Sequence, residues 1–189
     1  KSFLAEYPVR VINNGIDLDT FRPIQSDFRK KYQIENKFII LGVASSWAPR
    51  KGLDVFVKLA EDLPEEYQIF IVGIDEREKN KLPETIISIT RTNNQKELAE
   101  IYSVADVFVN PTREENFPTT NIEALACGTG VITYRTGGSP EIIDQETGVV
   151  VEKDNYDELK QAIFKVKKDG TFSKEKCRNR SMKYSRDER

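Results

Sequence analysis

Histidine is absent from this 189-residue chain, which excludes a Ser–His–Asp triad, a Cys–His pair and any histidine metal ligand within it. Only two cysteines occur, Cys127 and Cys177, and they lie too far apart for a metal-binding spacing or a disulfide framework. This cysteine usage favours a reducing compartment, so we expect a cytoplasmic protein. No metal site is predicted.

Long apolar runs and a strong charge bias are also missing. No run approaches the roughly 18 residues that a membrane span needs, and no signal peptide is visible. The formal net charge of −2 gives no sign of a nucleic-acid partner, so a phosphate-bearing ligand would require a local cationic site. The length and the 32% of charged residues suit one globular domain with a sizeable core.

Short apolar runs alternate with amphipathic segments along the chain. The runs predict buried strands at Phe38–Val43, Gln68–Val72, Ile86–Ile89, Val107–Val109 and Val131–Tyr134. The 3.6-residue spacing predicts helices from Leu53 to Leu63, behind an N-cap at Asn94, and from Tyr156 to Val166. This order predicts an α/β fold, a Rossmann-like doubly wound parallel sheet covered on both faces. Because such sheets bind ligands beyond the carboxyl ends of their strands, we expect functional residues directly after the strands.

The two ends of the chain differ from the middle. Residues 1–25 contain a possible short strand at Val9–Ile12 and a turn signal at Asn14-Gly15, and we interpret them as a linker. Residues 26–170 form the predicted domain, and residues 171–189 form a polar, helical segment. The chain starts as if in mid-segment, so we expect a piece of a longer protein.

The stretch after the strand at Val107–Val109 carries two carboxylates. We expect Glu115 on the loop, Pro118 in the first turn of a helix, and Glu123 one to two turns further on, before a stop at Gly128. Two such carboxylates can hold two hydroxyl-bearing parts of one ligand, and the helix N-terminus between them offers an anion site. The alternatives are a capping box, Thr120-x-x-Glu123, and a solvated Glu115.

A cationic pair, Arg50-Lys51, precedes the helix that starts at Leu53. Cations at a helix N-terminus are unfavourable by roughly 0.3–1 kcal/mol each, and a bound diphosphate would reverse that sign. Lys51 is the natural point-charge partner of such a ligand. The alternative is two surface cations. Trp47 fits either a stacking role or ordinary packing.

Two further strand ends carry weaker signals. Thr136-Gly137-Gly138-Ser139-Pro140-Glu141 allows close backbone approach and the start of a short helix, or is a plain turn. The loop Thr90-Arg91-Thr92 could present its main chain to a nucleobase, or is only a loop. Cys127 is interpreted as a core residue, because no base is available to make it a nucleophile.

Together these segments resemble the retaining GT-B glycosyltransferases of family 4, also called glycosyltransferases group 1. Glu115 and Glu123 reproduce the E-x7-E spacing, and Glu123-Ala-Leu-Ala-Cys-Gly-Thr129 resembles the family's "EALACGTPV" run. Residues 136–141 match its "GG-x-PE" segment, and residues 11–23 resemble its "NGID…F-x-P" hinge. Residues 148–151 resemble the strand that follows. The resemblance covers most of residues 9–165 and suggests the branch that builds bacterial capsular or cell-surface polysaccharides.

The resemblance implies roles for individual residues. Glu115 would contact the transferred sugar, and Lys51 would stabilise the leaving diphosphate; these two are the expected catalytic residues. Glu123 would hold the ribose hydroxyl groups. The remaining donor-binding residues would be Arg50, Asn116, Phe117, Pro118, Thr119 and Thr120 for the diphosphate, with Thr90, Arg91 and Thr92 at the base. The substrate would be a UDP- or GDP-sugar, with no cofactor or metal required.

The resemblance also implies a missing partner. A GT-B enzyme has two Rossmann-like domains with the site between them, and this chain corresponds to the C-terminal, donor-binding half. We therefore expect an absent N-terminal domain that binds the saccharide or lipid-linked acceptor and contacts the inner face of the plasma membrane peripherally. The full-length protein would be a hexosyltransferase, and the 189-residue chain alone would be inactive.

Two departures from the family pattern stand out. Many members carry an arginine five or six residues before the lysine, where this chain has Ser46 and Ser45, so Arg50 is a candidate substitute. The usual proline after "GT" is Gly130 here. Three other functions remain open: a nucleotide-sugar epimerase or a phosphorylase, a non-catalytic nucleotide-binding module, and a dinucleotide-binding oxidoreductase. The last lacks its G-x-G-x-x-G fingerprint after the first strand.

Overall fold

Six short strands build one parallel sheet in the computed structural model, which describes residues 7–8, 12–170 and 172–186. The strands are β1 Phe38–Val43, β2 Tyr67–Val72, β3 Ile86–Ile89, β4 Val107–Asn110, β5 Val131–Tyr134 and β6 Gly148–Val151. Their spatial order is β3-β2-β1-β4-β5-β6. This is the Rossmann order, in which the chain reverses direction across the sheet between β1 and β4. The predicted fold class is confirmed.

Eight α-helices flank the sheet in the part of the chain that the structure describes. They are α1 Phe28–Lys31, α2 Leu53–Asp62, α3 Glu76–Lys79, α4 Gln95–Val104, α5 Thr119–Ala126, α6 Ser139–Ile142, α7 Tyr156–Asp169 and α8 Lys174–Ser181. The short α1 and α3 were not predicted, because four polar-rich residues show no periodicity. The Asn94 cap of α4 is confirmed, since its side chain accepts a hydrogen bond from the amide of Glu97.

Each face of the sheet buries its own apolar core. Ile39 and Leu41 of β1 pack with α4 and α5 on one face, whereas Phe38 and Ile40 pack with α2 and α7 on the other. Strands buried on both faces need apolar residues at every position, which explains the continuous runs in the sequence.

The terminal segments pack onto the first of these cores. Ile16, Leu18 and Phe21 are buried there, and Ile16 pairs with Ser185 in a parallel bridge. Arg178 of α8 donates hydrogen bonds to the carbonyl oxygens of Leu18 and Phe21 at 2.9 and 2.6 Å. The segment that precedes the sheet and the segment that follows α7 are therefore bonded to each other on this face. Of the strand predicted at Val9–Ile12, residues 9–11 lie outside the described residues.

The β4–α5 connection differs in two respects from what the sequence suggested. Pro118 was expected in the first turn of the helix, but it is the N-cap, with an extended ψ of 110°, and α5 begins at Thr119. The capping box at Thr120 and Glu123 is also wrong, because no side chain caps this helix. The stop at Gly128 is confirmed, since that glycine follows the C-cap and has a φ of +83°.

Candidate functional site

A cleft of about 800 Å³ lies at the carboxyl edge of the sheet, where β1 and β4 are neighbours. Open α/β sheets bind ligands at this topological switch point. The cleft is lined by ten of the residues singled out in the sequence: Lys51, Thr90, Arg91, Thr92, Glu115, Phe117, Pro118, Thr119, Thr120 and Glu123. Residues that are up to 72 positions apart in sequence therefore surround one space, as the strand-end argument requires.

Lys51 and Glu115 form an ion pair at this cleft. The Lys51 Nζ lies 2.9 Å from Glu115 Oε2, and the two side chains are only 21% and 15% exposed. The second oxygen of Glu115 accepts a hydrogen bond from the amide of Asn116 at 3.0 Å. In the free protein, the charge that was predicted to meet a diphosphate is therefore balanced by a neighbouring carboxylate.

The loop that carries Lys51 is fixed against the loop that carries Glu115. Pro49–Lys51 form a 3-10 turn, and Gly52 then adopts a φ of +77°. Gly52 lies so close to Pro111 that a Cβ on Gly52 would be 2.6 Å from the Pro111 carbonyl oxygen. The Arg113 amide donates to the Arg50 carbonyl at 2.7 Å. These contacts hold the two loops as one unit, so the ion pair sits on a rigid support.

A second anchor of that unit is the Arg113 guanidinium. It donates to both carboxylate oxygens of Asp54 at 2.8 and 2.7 Å and to Asp154 at 2.6 Å. The two carboxylates raise the pKa of Arg113 above its ordinary value, and Arg113 in turn lowers the pKa of Asp54. A bidentate arginine of this kind fixes geometry as well as charge.

Glu123 lies in the fifth position of α5, as predicted, but its surroundings differ from those of Glu115. Its carboxylate is half-buried, and Oε2 accepts a hydrogen bond from the Tyr102 hydroxyl at 3.1 Å. No ion pair reaches it from the residues that the structure describes. Burial raises the pKa of Glu123, and the Tyr102 and Thr119 hydroxyls partly oppose that rise. The carboxylate is thus held in place by neutral groups alone.

The start of α5 borders the cleft, and Pro118 lines it. The helix has eight residues and no side-chain cap. The Asn121 amide donates to the Pro118 carbonyl at 3.2 Å, whereas the amides of Thr119 and Thr120 have no side-chain partner among the described residues. Thr119 and Thr120, which lie between the two carboxylates in sequence, line the same cleft as they do. An uncapped helix N-terminus is suited to an anionic ligand, because the helix dipole adds to the free donors.

The paired glycines after β5 serve the β4–α5 loop. Gly137 has a φ of +47°, and a Cβ there would lie 1.8 Å from the carbonyl oxygen of Glu115. The Gly138 amide donates to the Asn116 carbonyl at 2.6 Å, and a Cβ at Gly138 would meet the Phe117 ring at 2.5 Å. Of the two interpretations of this segment, close backbone approach therefore fits the structure. The two glycines pack directly against the main chain of the loop that carries Glu115. The start of α6 at Ser139 agrees with the prediction.

Arg50 and Asn116 do not line the cleft. Both are exposed and border an adjoining groove of about 620 Å³, and Arg50 donates to the Glu114 carbonyl at 3.2 Å. Because Arg50 and Lys51 are consecutive in a tight turn, their side chains diverge, and only Lys51 enters the cleft.

The loop Thr90–Thr92 forms the far wall of the cleft. Thr90 and Arg91 are exposed, and the Thr90 hydroxyl donates to Glu76 at 2.7 Å.

Trp47 packs edge-on against Phe56 and donates its indole N–H to the Val72 carbonyl at 3.0 Å, so of its two interpretations the structure favours ordinary packing. Burial raises the pKa of the Cys127 thiol to about 12, in agreement with a core role.

Several cleft residues were missed in the sequence. Asn110 and Thr112 belong to a buried chain of hydrogen bonds, in which the Thr112 hydroxyl donates to Asn110 and the Asn110 amide donates to Asn121 at 2.7 Å. Asp75 follows β2 and also lines the cleft. All three stand at strand ends, the position that marked the other residues. Tyr102 was seen only as part of an apolar helix stripe.

No helix among the described residues is long and apolar enough to cross a bilayer.

Comparisons with known proteins agree with this geometry. The chain is 27% identical over 182 residues to a D-inositol 3-phosphate glycosyltransferase of Mycobacteroides abscessus, covering 88% of this chain and 41% of that protein. Its fold matches sucrose-phosphate synthase of Thermosynechococcus elongatus with a TM-score of 0.79 and 26% identity, over 93% of this chain and 48% of that one.

A third protein shares the fold: HepE of Anabaena, solved in complex with UDP-glucose, matches with a TM-score of 0.79 and 19% identity over 93% of this chain and 52% of that one. The chain thus spans about half the length of the relatives it matches, as expected for one half of a GT-B fold. The family described as Glycosyl transferases group 1 matches residues 24–187. The chain belongs to the group 1 glycosyltransferase family and corresponds to the C-terminal half of its GT-B fold.

Proposed function

We propose that this chain is the donor-binding half of a retaining glycosyltransferase of family 4 that takes a hexosyl group from a nucleoside diphosphate sugar. The observation that carries the proposal is the convergence of Lys51, the uncapped start of α5, Glu115 and Glu123 on one cleft. A diphosphate sugar has three parts that need these groups: a ribose, two phosphates and a sugar. The cleft offers a half-buried carboxylate, a cation and an uncapped helix start, and a second carboxylate.

The diphosphate is placed between Lys51 and the start of α5. Cleavage of the donor builds negative charge on the leaving phosphate, and preorganised cations and amides stabilise such charge most when they are already fixed. The turn that carries Lys51 is fixed by the coupled loops. On this account donor binding transfers the Lys51 ammonium from Glu115 to phosphate oxygen and releases the Glu115 carboxylate to the hydroxyl groups of the sugar.

The ribose is placed at Glu123 and the base at the Thr90–Thr92 wall. A carboxylate accepts two hydroxyl hydrogen bonds well, and ribose carries two neighbouring hydroxyl groups. UDP-glucose is bound to HepE, which has the same fold, so a uridine nucleotide is the first ligand to test. Arg50 and Asn116 remain predicted donor contacts, to be reached by a sugar or phosphate that extends into the adjoining groove.

The acceptor belongs to the N-terminal domain that we propose precedes this chain, with residues 1–25 as the connection, residues 26–170 as the donor domain and residues 171–189 as a C-terminal helical segment. The acceptor class is a saccharide or a lipid-linked saccharide, as in bacterial polysaccharide synthesis. The Mycobacteroides relative is named for a phosphorylated polyol acceptor, inositol 3-phosphate. We place the complete enzyme in the cytoplasm, at the inner face of the plasma membrane, and we propose no metal or cofactor for the transfer.

Calorimetric titration of the 189-residue chain tests this proposal. UDP or GDP should bind with a weak, measurable affinity, and Lys51→Ala should weaken that binding about 10- to 100-fold, the value of one charge-assisted hydrogen bond of roughly 1.5–3 kcal/mol. Lys165→Ala is the matched control, because Lys165 is an exposed helix lysine on α7. Unchanged binding by both Lys51→Ala and Glu123→Ala would reject the site.

Activity measurements separate the proposal from its rivals. The chain alone should transfer no sugar, since half of the site is absent, and detectable transfer by it would contradict the proposed division of labour. Interconversion of donor sugars by the full-length protein without an acceptor would favour an epimerase. Nucleotide binding with neither reaction in the full-length protein would favour a non-catalytic module.

A further inference from the structure

Tyr102 is a buried tyrosine whose hydroxyl reaches the cleft only through another residue. It lies on α4, is fully buried, and is absent from the cleft lining. Its hydroxyl donates to Glu123 Oε2 at 3.1 Å. A phenylalanine would fill the same core position, so packing alone does not explain the oxygen atom. Its single described acceptor is the carboxylate that we placed at the ribose.

The ring of Tyr102 cannot adjust freely. It packs edge-on against Phe21 and Phe108, with ring centroids 6.4 and 5.5 Å away. Its main-chain carbonyl accepts the buried Thr129 hydroxyl at 2.6 Å. The hydroxyl therefore sits at a fixed point behind Glu123, and a hydrogen bond from a fixed donor selects one orientation of the carboxylate.

The hydrogen bond also divides the carboxylate into two functional parts. Tyr102 occupies one acceptor position of Oε2, so the acceptor positions of the carboxylate that neither Tyr102 nor Thr119 uses are available to a ligand. Without this contact the Thr119 hydroxyl would be the one remaining described partner of the carboxylate, and ligand hydroxyl groups would have to complete its ordering on binding. Preorganisation of this kind improves affinity by removing that ordering cost.

We infer that Tyr102 is a positioning residue that orients the Glu123 carboxylate toward ribose hydroxyl groups and so makes the cleft prefer ribonucleotides to deoxyribonucleotides. The inference rests on the proposed function, because it assumes that a nucleotide ribose lies at Glu123. It adds a residue that touches no ligand and a selectivity that the cleft lining by itself does not specify.

The charge state of Glu123 gives the role a second readout. The titratable groups on the core side of the carboxylate are Tyr102 on α4 and Cys127 at the C-cap of α5, both neutral because burial raises the pKa of each. Across the cleft the charged groups are Asp75, Arg91 and the paired Lys51 and Glu115. Since the Tyr102 hydrogen bond lowers the pKa of Glu123, its removal should raise that pKa further. As the pH is lowered, Glu123 would then become protonated earlier, and ligand binding that needs its ionised form would be lost at a higher pH than in the native chain.

The test compares Tyr102→Phe with Tyr156→Phe in titrations with UDP, 2′-deoxy-UDP and 3′-deoxy-UDP. Tyr156 is the matched control, because its hydroxyl donates to the carboxylate of Asp62 at 2.8 Å and it does not line the cleft. In the native chain we expect UDP to bind about tenfold more tightly than at least one deoxy analogue. Tyr102→Phe should weaken UDP about fivefold, leave the deoxy analogue nearly unchanged, and shift the acid limb of UDP binding to higher pH.

The outcomes separate this inference from the proposed function. If Glu123→Gln weakens UDP binding but Tyr102→Phe matches Tyr156→Phe in affinity, selectivity and pH profile, the positioning role is wrong and the donor site stands. If UDP and GDP fail to bind, both are wrong. If Glu123→Gln and Glu123→Ala leave UDP binding unchanged but Lys51→Ala weakens it, the ribose does not lie at Glu123 and the positioning role is wrong, while the diphosphate site stands. A Tyr102→Phe chain that binds UDP and both deoxy analogues more weakly by one common factor, with an unshifted pH profile, would show a structural effect only and would also overturn the role.

Discussion

The two carboxylates of the cleft lie eight residues apart and have opposite environments. Glu115, on a loop, bonds to the cation Lys51, whereas Glu123, on a helix, bonds to the neutral hydroxyl of Tyr102. At Glu115 the negative charge is compensated by Lys51. At Glu123 the hydrogen bond orients the carboxylate, but burial of its uncompensated charge still destabilises the ionised form. The same residue type can therefore stabilise the fold at one position and destabilise it at the other, even though both carboxylates line one cleft.

The largest effect should come from the support of the Glu115 region. Gly137→Ala places a Cβ against the Glu115 carbonyl at 1.8 Å and imposes a positive φ on alanine. We expect a loss of about 3 kcal/mol or more in the free energy of unfolding, measured by urea denaturation. Gly170→Ala is the control, since that glycine has a φ of +94° with nothing within 4 Å. Equal losses in the two variants would show that backbone strain, and not the contact with the Glu115 loop, sets the cost.

A pair of isosteric changes should sharpen the comparison. Glu115→Gln breaks the ion pair with Lys51 and should lower the free energy of unfolding at pH 8 by about 1 kcal/mol. Glu123→Gln removes a half-buried charge and should raise it by up to about 1 kcal/mol, because burial penalises the ionised form. Stability changes of the same sign in both variants would refute the proposed contrast.

The pH dependence of unfolding follows from the raised pKa of Glu123. A group whose pKa is higher in the folded state binds its proton more tightly there, so its stabilising contribution is complete below the unfolded value near 4.5 and is lost as the pH rises through the folded value. The native chain should lose stability relative to Glu123→Gln across that interval. Parallel pH profiles for the two proteins would show that Glu123 titrates normally.

A smaller effect should appear in ligand affinity. Because Lys51 must leave Glu115 to reach a phosphate, Glu115→Gln should strengthen UDP binding about two- to fivefold, on the order of 0.5–1 kcal/mol. Glu114→Gln, at the exposed neighbouring position, is the control for a general loss of negative charge. If both variants raise affinity equally, the release of Lys51 is not the cause.

Much of the fold could be predicted from the sequence, because strands buried on both faces need unbroken apolar runs. The strands β1, β3 and β5 match their predicted bounds, and helices with a periodic stripe were also found. The four-residue α1 and α3 were missed because too few residues carry a pattern. Pro118 was placed one residue too far into α5, since its fixed φ suits both the first turn and the position before it.

The site was predicted in its positions but not in its pairings. Strand ends located Lys51, Glu115 and Glu123, because topology alone brings such ends together. The bond from Lys51 to Glu115 spans 64 residues, and the bond from Tyr102 to Glu123 joins two helices, so neither leaves a local pattern. The divergence of Arg50 from Lys51 depends on a 3-10 turn that the sequence did not reveal.

The central claim is that a nucleoside diphosphate binds at the carboxyl edge of the sheet between Lys51 and Glu123. The most direct test is a backbone amide NMR titration of the ¹⁵N-labelled chain with UDP. We predict shifts concentrated at Lys51, Thr119, Thr120 and Glu123. Shifts concentrated instead at the cleft on the opposite edge, around Ser26, Arg29 and Gly128, or saturation with no shift at the α5 N-terminus, would contradict the account.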